Sequence, residues 1–405
     1  MGVLFRSDFH DDFGTWPLAY IPYGGGDFGE ILAVAQAVGG GDDGAFHDAW
    51  KVAADRAAAE AETALAKGHR ASARALFLKA SSFYATSYHP LYGEPVDPRL
   101  LAAFRRQTVT LDKGLGLSRI PIEPRRIPFG PVPMPAYLIP ALGHERDVRP
   151  LLILINGYDA TVTDIYFASA VAASRRGYHC LLFDGPGQGA MLYEEGVRQR
   201  PDWETVIAAV VDFALTLPVV DPARIALCGW SLGGHLAPRA ASGEQRIAAL
   251  IADPGQWSIA GGFRDYAVKM GATREAVAYL GDLDQDILDR LEHVILGDRK
   301  MRWSIIQRGY WVHGVDNLRD YLSAAELFTM EGRVEQIQCP TLMTHAEKDP
   351  LSASSESFFD KLRCPKTFLR FTATEGAGDH CEMRNRTLLN QRALDWLDDR
   401  FGISG

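Results

Sequence analysis

The chain has 405 residues, of which 47% are hydrophobic and 23% charged, and its formal net charge is −9 at pH 7. A chain of this length and composition can bury a large core in one or two domains. The acidic balance and the lack of basic runs give it no electrostatic reason to bind nucleic acid or an anionic membrane surface. We therefore predict that neither is a partner.

The cysteines and the amino terminus indicate the cellular compartment in which the protein is expected. The five cysteines are scattered and form no C-x-x-C pair: Cys180, Cys228, Cys339, Cys364 and Cys381. An odd, scattered set predicts neither a disulfide framework nor a zinc site. The first residues show no basic region followed by an apolar stretch, and no apolar run is long enough to span a membrane. We expect the cytoplasm as the compartment.

Residues 1–118 predict an amino-terminal arm and a helical region. Residues 1–40 are rich in glycine, proline and aromatic residues; we assign no element to them and consider an arm that packs on a partner subunit. Apolar side chains then recur at helical spacing over 43–67, 71–87 and 98–111. These three segments are predicted helices.

From about residue 120, short apolar runs alternate with helical segments. The runs at 120–129 and 134–139 are interrupted by prolines, as at a sheet edge. Later runs are typical of buried strands, and they lie at 151–155, 179–183, 224–228, 248–252, 341–344 and 366–371. Helical patterns lie at 162–176, 203–217, 232–243 and 388–400. This alternation predicts an α/β fold with a doubly wound, mostly parallel sheet.

Residues 256–336 separate two predicted strands and are too many for a structureless loop in a compact domain. Their sequence is helical in pattern and rich in aromatic residues. We interpret them as a helical cap inserted over the carboxyl edge of the sheet, so the predicted core comprises 119–255 and 337–405. The cap aromatics are candidates to line a substrate pocket, although packing is the expected role for most of them: Trp257, Tyr266, Trp303, Tyr310 and Trp311.

The strongest local signal is Gly229-Trp230-Ser231-Leu232-Gly233-Gly234, directly after one predicted strand and before a helix. This is the context of the G-x-S-x-G elbow of α/β hydrolases. The turn is tight enough to strain the serine backbone, and it requires small residues two positions to either side. It would present the Ser231 hydroxyl as a nucleophile, with the Leu232 N–H facing a developing oxyanion. The alternative is a glycine-rich turn with an incidental serine.

A serine nucleophile needs a base, and the fold orders its residues as serine, acid, histidine. His380 lies in a glycine-rich loop after the last predicted strand, which makes it the candidate base. His235 is one helical turn past Ser231 and should point along the helix. His313 is assigned to the cap, and His345 should pack near the end of its strand.

The acid that orients the histidine is predicted to be Asp349, just past the strand that follows the cap. Asp253 is the main alternative because it ends the preceding strand. Glu347 is less favoured because it lies earlier in the loop.

A second oxyanion donor is expected after the first long buried strand, in Asn156-Gly157-Tyr158-Asp159. Gly157 would let the backbone approach the substrate, and the Tyr158 N–H is the candidate donor. The run Asp184-Gly-Pro-Gly-Gln-Gly189 has neither the lysine nor the spacing of a phosphate-binding loop. It predicts a tight turn beside the site.

Together these motifs resemble one branch of the α/β-hydrolase superfamily. That branch contains FrsA-like esterases, the bacterial dihydroxypseudooxynicotine hydrolase and fungal hydrolases that shorten polyketide pigment precursors. These proteins also carry an amino-terminal helical region and a helical cap. The likeness rests on Asn156–Asp159, Asp184–Gly189, Gly229–Arg239, Lys348–Pro350 and Gly378–Cys381.

The resemblance implies Ser231, Asp349 and His380 as the catalytic triad, no metal or organic cofactor, and a homodimer. Several members of the branch cleave a carbon–carbon bond beside a ketone, and others cleave esters. We therefore predict a serine hydrolase that forms an acyl-enzyme and acts on a polyketide-like or acyl-aromatic small molecule. A plain carboxylesterase, an acyltransferase and a non-catalytic binding protein are the alternatives.

Overall fold

The computed structural model describes residues 2–403. Eight strands form one sheet: β1 (Pro124–Ile127), β2 (Met134–Ile139), β3 (Arg149–Ile155), β4 (His179–Phe183), β5 (Val220–Trp230), β6 (Ala249–Asp253), β7 (Thr341–Ala346) and β8 (Lys366–Phe371). Their order is β1-β2-β4-β3-β5-β6-β7-β8. Strand β2 pairs antiparallel with both of its neighbours, β1 and β4. The other five pairings, from β4–β3 to β7–β8, are parallel. This confirms the predicted doubly wound, mostly parallel sheet.

The strands form where the apolar runs predict them, because the central ones are buried on both faces. Every residue of β4 and β6 is buried. The edge strand β1 is shorter than the predicted run 120–129. Prolines at 121 and 128 flank it, and proline has no N–H to donate to a neighbouring strand.

The amino-terminal helices are α1 (Asp8–Gly14), α2 (Trp16–Tyr20), α3 (Phe28–Val38), α4 (Asp43–Ala66), α5 (Arg70–Ser87) and α6 (Pro98–Gly116). Helices α4 to α6 match the predicted segments, and α6 extends five residues further. The side chains of Asp42 and Asp97 cap α4 and α6 by accepting backbone N–H groups of their first turns.

Residues 2–40, to which the sequence pattern assigns no element, form α1 to α3 and pack against other parts of their own chain. Phe5, Phe9 and Phe13 are buried. Their rings contact Trp50 of α4 and Trp303 of the cap. Residue 1 lies outside the described residues.

The sheet is covered by α7 (Val162–Ile165), α8 (Val171–Arg175), α9 (Gly189–Tyr193), α10 (Trp203–Ala214), α11 (Gly233–Ala241), α17 (Ser355–Lys361) and α18 (Arg386–Phe401). A π-helical turn at Tyr166–Ala170 joins α7 to α8. The segment between β6 and β7 contains α12 (Gly261–Lys269), α13 (Gln285–Gly297), α14 (Arg299–Met301), α15 (Tyr310–His313) and α16 (Leu318–Glu326). None of the helices within residues 2–403 is long and apolar enough to cross a membrane.

The cap contacts both the sheet domain and the amino-terminal helices. At its base, Trp257 N–H donates to the hydroxyl of Ser354 at 3.1 Å. On its far side, Trp303 is 3% exposed, and its indole N–H donates to the carbonyl oxygen of His89 at 2.9 Å. Because Trp303 also packs on Phe9 and Phe13, the amino-terminal helices hold the cap in place.

We expect Trp303→Ala to lower the free energy of unfolding by about 3–5 kcal/mol, since it removes a buried indole and leaves a cavity between cap and amino-terminal helices. Urea denaturation followed by circular dichroism measures the loss. Tyr266→Ala, in the same cap but 42% exposed, is the matched control and should cost less than about 1 kcal/mol. Equal effects of the two substitutions would contradict this account of the cap.

Candidate active site

Ser231 occupies a sharp turn between β5 and α11. Its φ angle is +56°, in the left-handed region that residues with a Cβ rarely adopt. A Cβ added at Gly229 would overlap the carbonyl oxygen of Gly233, and one added at Gly233 would lie 2.7 Å from that of Ile155. The two glycines of the motif are therefore required by the close approach of the backbone, as the sequence pattern predicts.

Ser231, His380 and Asp349 form a hydrogen-bonded chain. His380 Nε2 lies 2.9 Å from Ser231 Oγ, and His380 Nδ1 lies 2.8 Å from Asp349 Oδ2. The other carboxylate oxygen of Asp349 accepts the N–H of Leu351 at 3.0 Å. The carboxylate is thus held from both sides. This arrangement allows His380 to take a proton from Ser231 while Asp349 stabilises the resulting imidazolium.

The charge of Asp349 controls the protonation of His380. Burial by itself lowers the pKa of His380, but the charge and the hydrogen bond of Asp349 outweigh burial, so the pKa lies above its ordinary value of 6.5. The side chain of Asp349 is 1% exposed, whereas that of His380 is 38% exposed. His380 therefore faces the cavity and Asp349 is shielded behind it.

The alternative acids have other partners. The Asp253 carboxylate accepts the Arg386 guanidinium at 2.8 Å and the Thr344 hydroxyl at 2.8 Å. Glu347 accepts the backbone N–H of Ala373 at 2.7 Å. Neither carboxylate makes a hydrogen bond to His380. The site thus has one carboxylate in position to orient the base.

Two of the alternative histidines are bound to backbone carbonyls. His235 is fully buried, and its Nδ1 lies 3.1 Å from the carbonyl oxygen of Gln256. Burial lowers the pKa of His235 to about 4, so it stays neutral. The Nδ1 of His345 lies 3.2 Å from the carbonyl oxygen of Ser352. Both residues hold local structure beside the site.

Gly157 marks the space where a substrate oxygen would lie. A Cβ added to it would be 2.9 Å from Ser231 Oγ and 3.2 Å from the Leu232 nitrogen. The turn at 184–189, predicted to lie beside the site, supports this loop. The side-chain amide of Gln188 donates to the carbonyl oxygens of Asn156 and Gly157 at 2.7 and 3.1 Å. These bonds set the backbone of the loop that presents the N–H of Tyr158.

The side chain of Tyr158 connects this loop to the cap. Its hydroxyl lies 2.7 Å from His313 Nε2. The Arg308 guanidinium stacks 4.3 Å from the centre of the Tyr158 ring and binds both carboxylate oxygens of Asp159 at 2.8 Å. Burial, followed by the charge of Arg308, lowers the pKa of His313 to about 4. His313 is therefore neutral and accepts or donates a hydrogen bond without carrying charge.

A cavity of about 830 Å³ opens between the cap and the carboxyl edge of the sheet. Ser231 and His380 are at its floor, and Trp257 and Tyr266 are among its walls. Its volume is within the range of small-molecule sites.

The three other cap aromatics lie away from this cavity. Trp303 and Trp311 are buried against the amino-terminal helices, where their rings pack on Tyr92. Tyr310 packs on Tyr321 in the core of the cap. Large aromatic side chains gain from burial; Trp303 and Trp311 are buried, and Tyr310 is half-buried. The structure therefore gives these three residues packing contacts instead of the expected place in the pocket.

Several cavity residues were not singled out in the sequence. Gln256, Ile305, Arg308 and Tyr321 line the cavity together with the predicted aromatics. Arg308 carries one recognisable signal, because it is a charged residue between apolar helical positions of the cap. Its partner Asp159 lies far away in sequence, so the pair emerges only in the folded chain.

The five cysteines are all free thiols. Cys381 lies directly beside the base, with its Sγ 3.5 Å from His380 Nε2. Within residues 2–403, no three His, Cys, Asp or Glu side chains are grouped as a metal site would require.

Comparison with known proteins places the chain in a family. Residues 152–390 match the Alpha/beta hydrolase family, and this stretch contains the elbow, the acid loop and the histidine loop. The chain belongs to the α/β-hydrolase family and is a hydrolase.

Relatives match the full length of the chain. The "Hydrolase acrC" of Aspergillus aculeatus is 30% identical over 100% of this chain and 99% of its own. The "20-hydroxy-prefusarin hydrolase FUS2" of Gibberella moniliformis is also 30% identical, with the same coverage. The crystal structure of the 2,6-dihydroxy-pseudo-oxynicotine hydrolase matches the fold with a TM-score of 0.72 and 23% identity, covering 94% of this chain and 95% of that one. The suggested branch of the superfamily is thereby confirmed.

We expect kcat/KM to rise with pH through a midpoint above 6.5, because only neutral His380 can accept the proton of Ser231. In Asp349→Asn the charge that raises the pKa is absent while burial remains. The midpoint should therefore move to lower pH, and turnover should fall by about 10³–10⁴-fold. Initial rates on an activated ester across the pH range measure both.

Asp253→Asn is the control for this prediction, since Asp253 carries the same charge but contacts Arg386 instead of His380. It should leave the midpoint within a few tenths of a pH unit, even if it destabilises the fold. A larger shift from Asp253→Asn than from Asp349→Asn would identify Asp253 as the acid.

Proposed function

We propose that the protein is a serine hydrolase in which Ser231 attacks a carbonyl carbon of a small-molecule substrate. The observation that carries the proposal is the hydrogen-bonded chain from Ser231 through His380 to Asp349. His380 accepts the hydroxyl proton as the Oγ–carbon bond forms. Asp349 keeps the imidazole in the orientation that presents Nε2 to the serine and stabilises its charged form.

The tetrahedral intermediate needs donors for its oxyanion. The Leu232 nitrogen borders the space that Gly157 leaves open beside Ser231, and Tyr158 directly follows Gly157 in the chain. The N–H groups of Leu232 and Tyr158 are the proposed donors. Donors on a backbone held by Gln188 and by the Asp159–Arg308 pair need little reorganisation during the reaction.

The leaving group decides which bond is cleaved. An alkoxide can be protonated directly by His380, but an unstabilised carbanion is too basic to depart. Carbon–carbon cleavage therefore requires a substrate with its own electron sink, such as a second carbonyl or an electron-rich ring. We propose that the natural reaction cleaves a carbon–carbon bond next to a ketone in a polyketide-like or acyl-aromatic compound, releasing a carboxylic acid.

Arg308 supports this assignment because it brings a positive charge to the cavity wall. Its Nη1 binds Asp159 and its Nε donates to the carbonyl oxygen of Ser304. Among residues 2–403, Nη2 makes no hydrogen bond. We propose that this N–H group stabilises the enolate that forms as a β-diketone is cleaved. An ester of similar shape needs no such charge, and it should also be a substrate.

The volume of the cavity and the name of one relative indicate the size and kind of the substrate. A cavity of about 830 Å³ accommodates a molecule with several rings or a short polyketide chain. The Gibberella moniliformis relative is named for 20-hydroxy-prefusarin. We propose a small polyketide-like or acyl-aromatic molecule as the substrate.

We expect Ser231→Ala to lose turnover by about 10⁴-fold or more while staying folded, because no other group of the site replaces the nucleophile. A fluorophosphonate probe should label the parent protein at Ser231 and leave the variant unlabelled. Product analysis by mass spectrometry over aryl esters and β-diketones identifies the bond that is cleaved. Ester hydrolysis without any diketone cleavage would leave a carboxylesterase, and no labelling would favour a binding protein.

Arg308→Gln should lower kcat/KM for a β-diketone about 100-fold more than for an aryl ester, because the amide can still donate to Asp159 but has no charge for an enolate. Arg308→Lys is the matched control, since it keeps the charge and should discriminate less between the two substrates. Parallel steady-state kinetics on both substrates measure the difference. Equal losses on ester and diketone would show that Arg308 only shapes the cavity.

Three expectations from the sequence stay predictions. They are the homodimer, the cytoplasmic location and the lack of nucleic acid among the partners. Light scattering on the purified protein tests the first of them directly.

A further inference from the structure

A second, much smaller cavity lies beside the catalytic pair. Its volume is about 20 Å³. Its walls include Trp16, Gly157, Ala160, Ser231 and His380. We call it the rear chamber. It shares Ser231, His380 and Asp159 with the large cavity, while Leu232 and Tyr158 border the large cavity alone. The catalytic pair therefore stands between two compartments, and the proposed oxyanion donors are on the substrate side.

The size of the rear chamber selects what can enter it. A cavity needs roughly 10–15 Å³ of such space to hold one water molecule. The rear chamber can therefore hold one water, but no part of a substrate that fills the large cavity.

The chamber also offers hydrogen-bonding partners, which an ordered water requires. Ser231 and His380 contribute a hydroxyl oxygen and an imidazole nitrogen. Ala160 is 4% exposed, and within residues 2–403 its backbone N–H donates to no other group. A buried N–H without a protein partner is usually satisfied by water.

We propose that the rear chamber holds the water that hydrolyses the acyl-enzyme, and that its size restricts the acyl acceptor to water; this inference rests on the proposed function. Once Ser231 is acylated, His380 Nε2 no longer receives the serine proton and can accept one from water. The water oxygen bonds to the acyl carbon as its proton passes to Nε2. The bond from the acyl carbon to Oγ then breaks, the proton returns to Oγ, and a carboxylic acid leaves.

Trp16 of α2 forms one wall of the chamber. Its ring lies 4.9 Å from that of His89 and 6.2 Å from that of Trp230, measured between centroids. The amino-terminal segment thus contributes directly to the site. With Trp16 in place, an alcohol has no room to replace water within the rear chamber.

The test measures how the acyl-enzyme partitions between water and an added alcohol. The enzyme is acylated with a p-nitrophenyl ester in the presence of methanol, and the acid and the methyl ester are quantified. Trp16→Ala should raise the methyl ester share about tenfold or more over the parent protein, because it enlarges the chamber by most of an indole. Trp257→Ala enlarges the substrate cavity instead, so it should alter the acylation rate but not the partition.

A second variant fills the chamber and keeps the test decisive if Trp16→Ala does not fold. Ala160→Val adds two methyl groups to the chamber wall and should slow deacylation at least about tenfold more than acylation. The acyl-enzyme should then accumulate, as seen by a larger p-nitrophenol burst and by the mass of the intact protein. An unchanged partition in Trp16→Ala, an equal change in Trp257→Ala, or normal deacylation in Ala160→Val would overturn the inference.

Failure of the proposed function itself looks different. In that case the fluorophosphonate probe would not label the parent protein, and its p-nitrophenol release would equal that of Ser231→Ala. The two results are distinguishable because labelling reports the nucleophile alone, whereas the partition reports only the step that follows acylation.

Discussion

The site depends on one backbone constraint, the left-handed conformation of Ser231 between β5 and α11. Such a conformation is costly for a residue with a Cβ, so the surrounding structure must enforce it. Here the Ser231 N–H donates to the carbonyl oxygen of Asp253 at 2.7 Å, and the flanking glycines let the backbones meet. The turn lifts the hydroxyl to the carboxyl edge of the sheet. Parallel strands end at that same edge, so the loops after β7 and β8 bring Asp349 and His380 to the hydroxyl.

Two buried carboxylates near the histidine differ in their partners and therefore in what they can do. Among residues 2–403, the Asp349 carboxylate accepts one backbone N–H besides the imidazole, so its charge acts on His380. Asp253 is neutralised by the buried Arg386, which anchors the histidine loop by donating to the carbonyl oxygen of Cys381 at 2.7 Å. Glu382 is buried nearby; burial first, and then the charge of Asp253, raises its pKa well above the ordinary value. The raised pKa favours the neutral form of Glu382 beside His380.

The amino-terminal region and the cap are part of the site. The carbonyl oxygen of Asp159 accepts the Tyr92 hydroxyl at 2.7 Å, and the Asp159 carboxylate binds Arg308 of the cap. The loop at 156–159 is therefore held by the sheet domain, the helical region and the cap together. The relatives align over the full length of the chain and so match all three regions.

The sequence by itself determined the strand and helix order, the elbow at Ser231, and the loops that carry Asp349 and His380. These features depend on short-range patterns: apolar runs, glycine spacing, and the order of the loops along the chain. Only the tertiary structure decided between Asp349 and Asp253 as partner of His380, because each lies at the carboxyl end of a strand and the distant Arg386 and Thr344 bind Asp253 alone. It also placed Trp257 in the cavity wall and Trp303 in the contact with the amino-terminal helices. It paired Arg308 with Asp159 and made Trp16 a wall of the rear chamber. Each of these contacts joins residues that are far apart in sequence. No short-range sequence pattern predicts which distant surface will bury a given side chain.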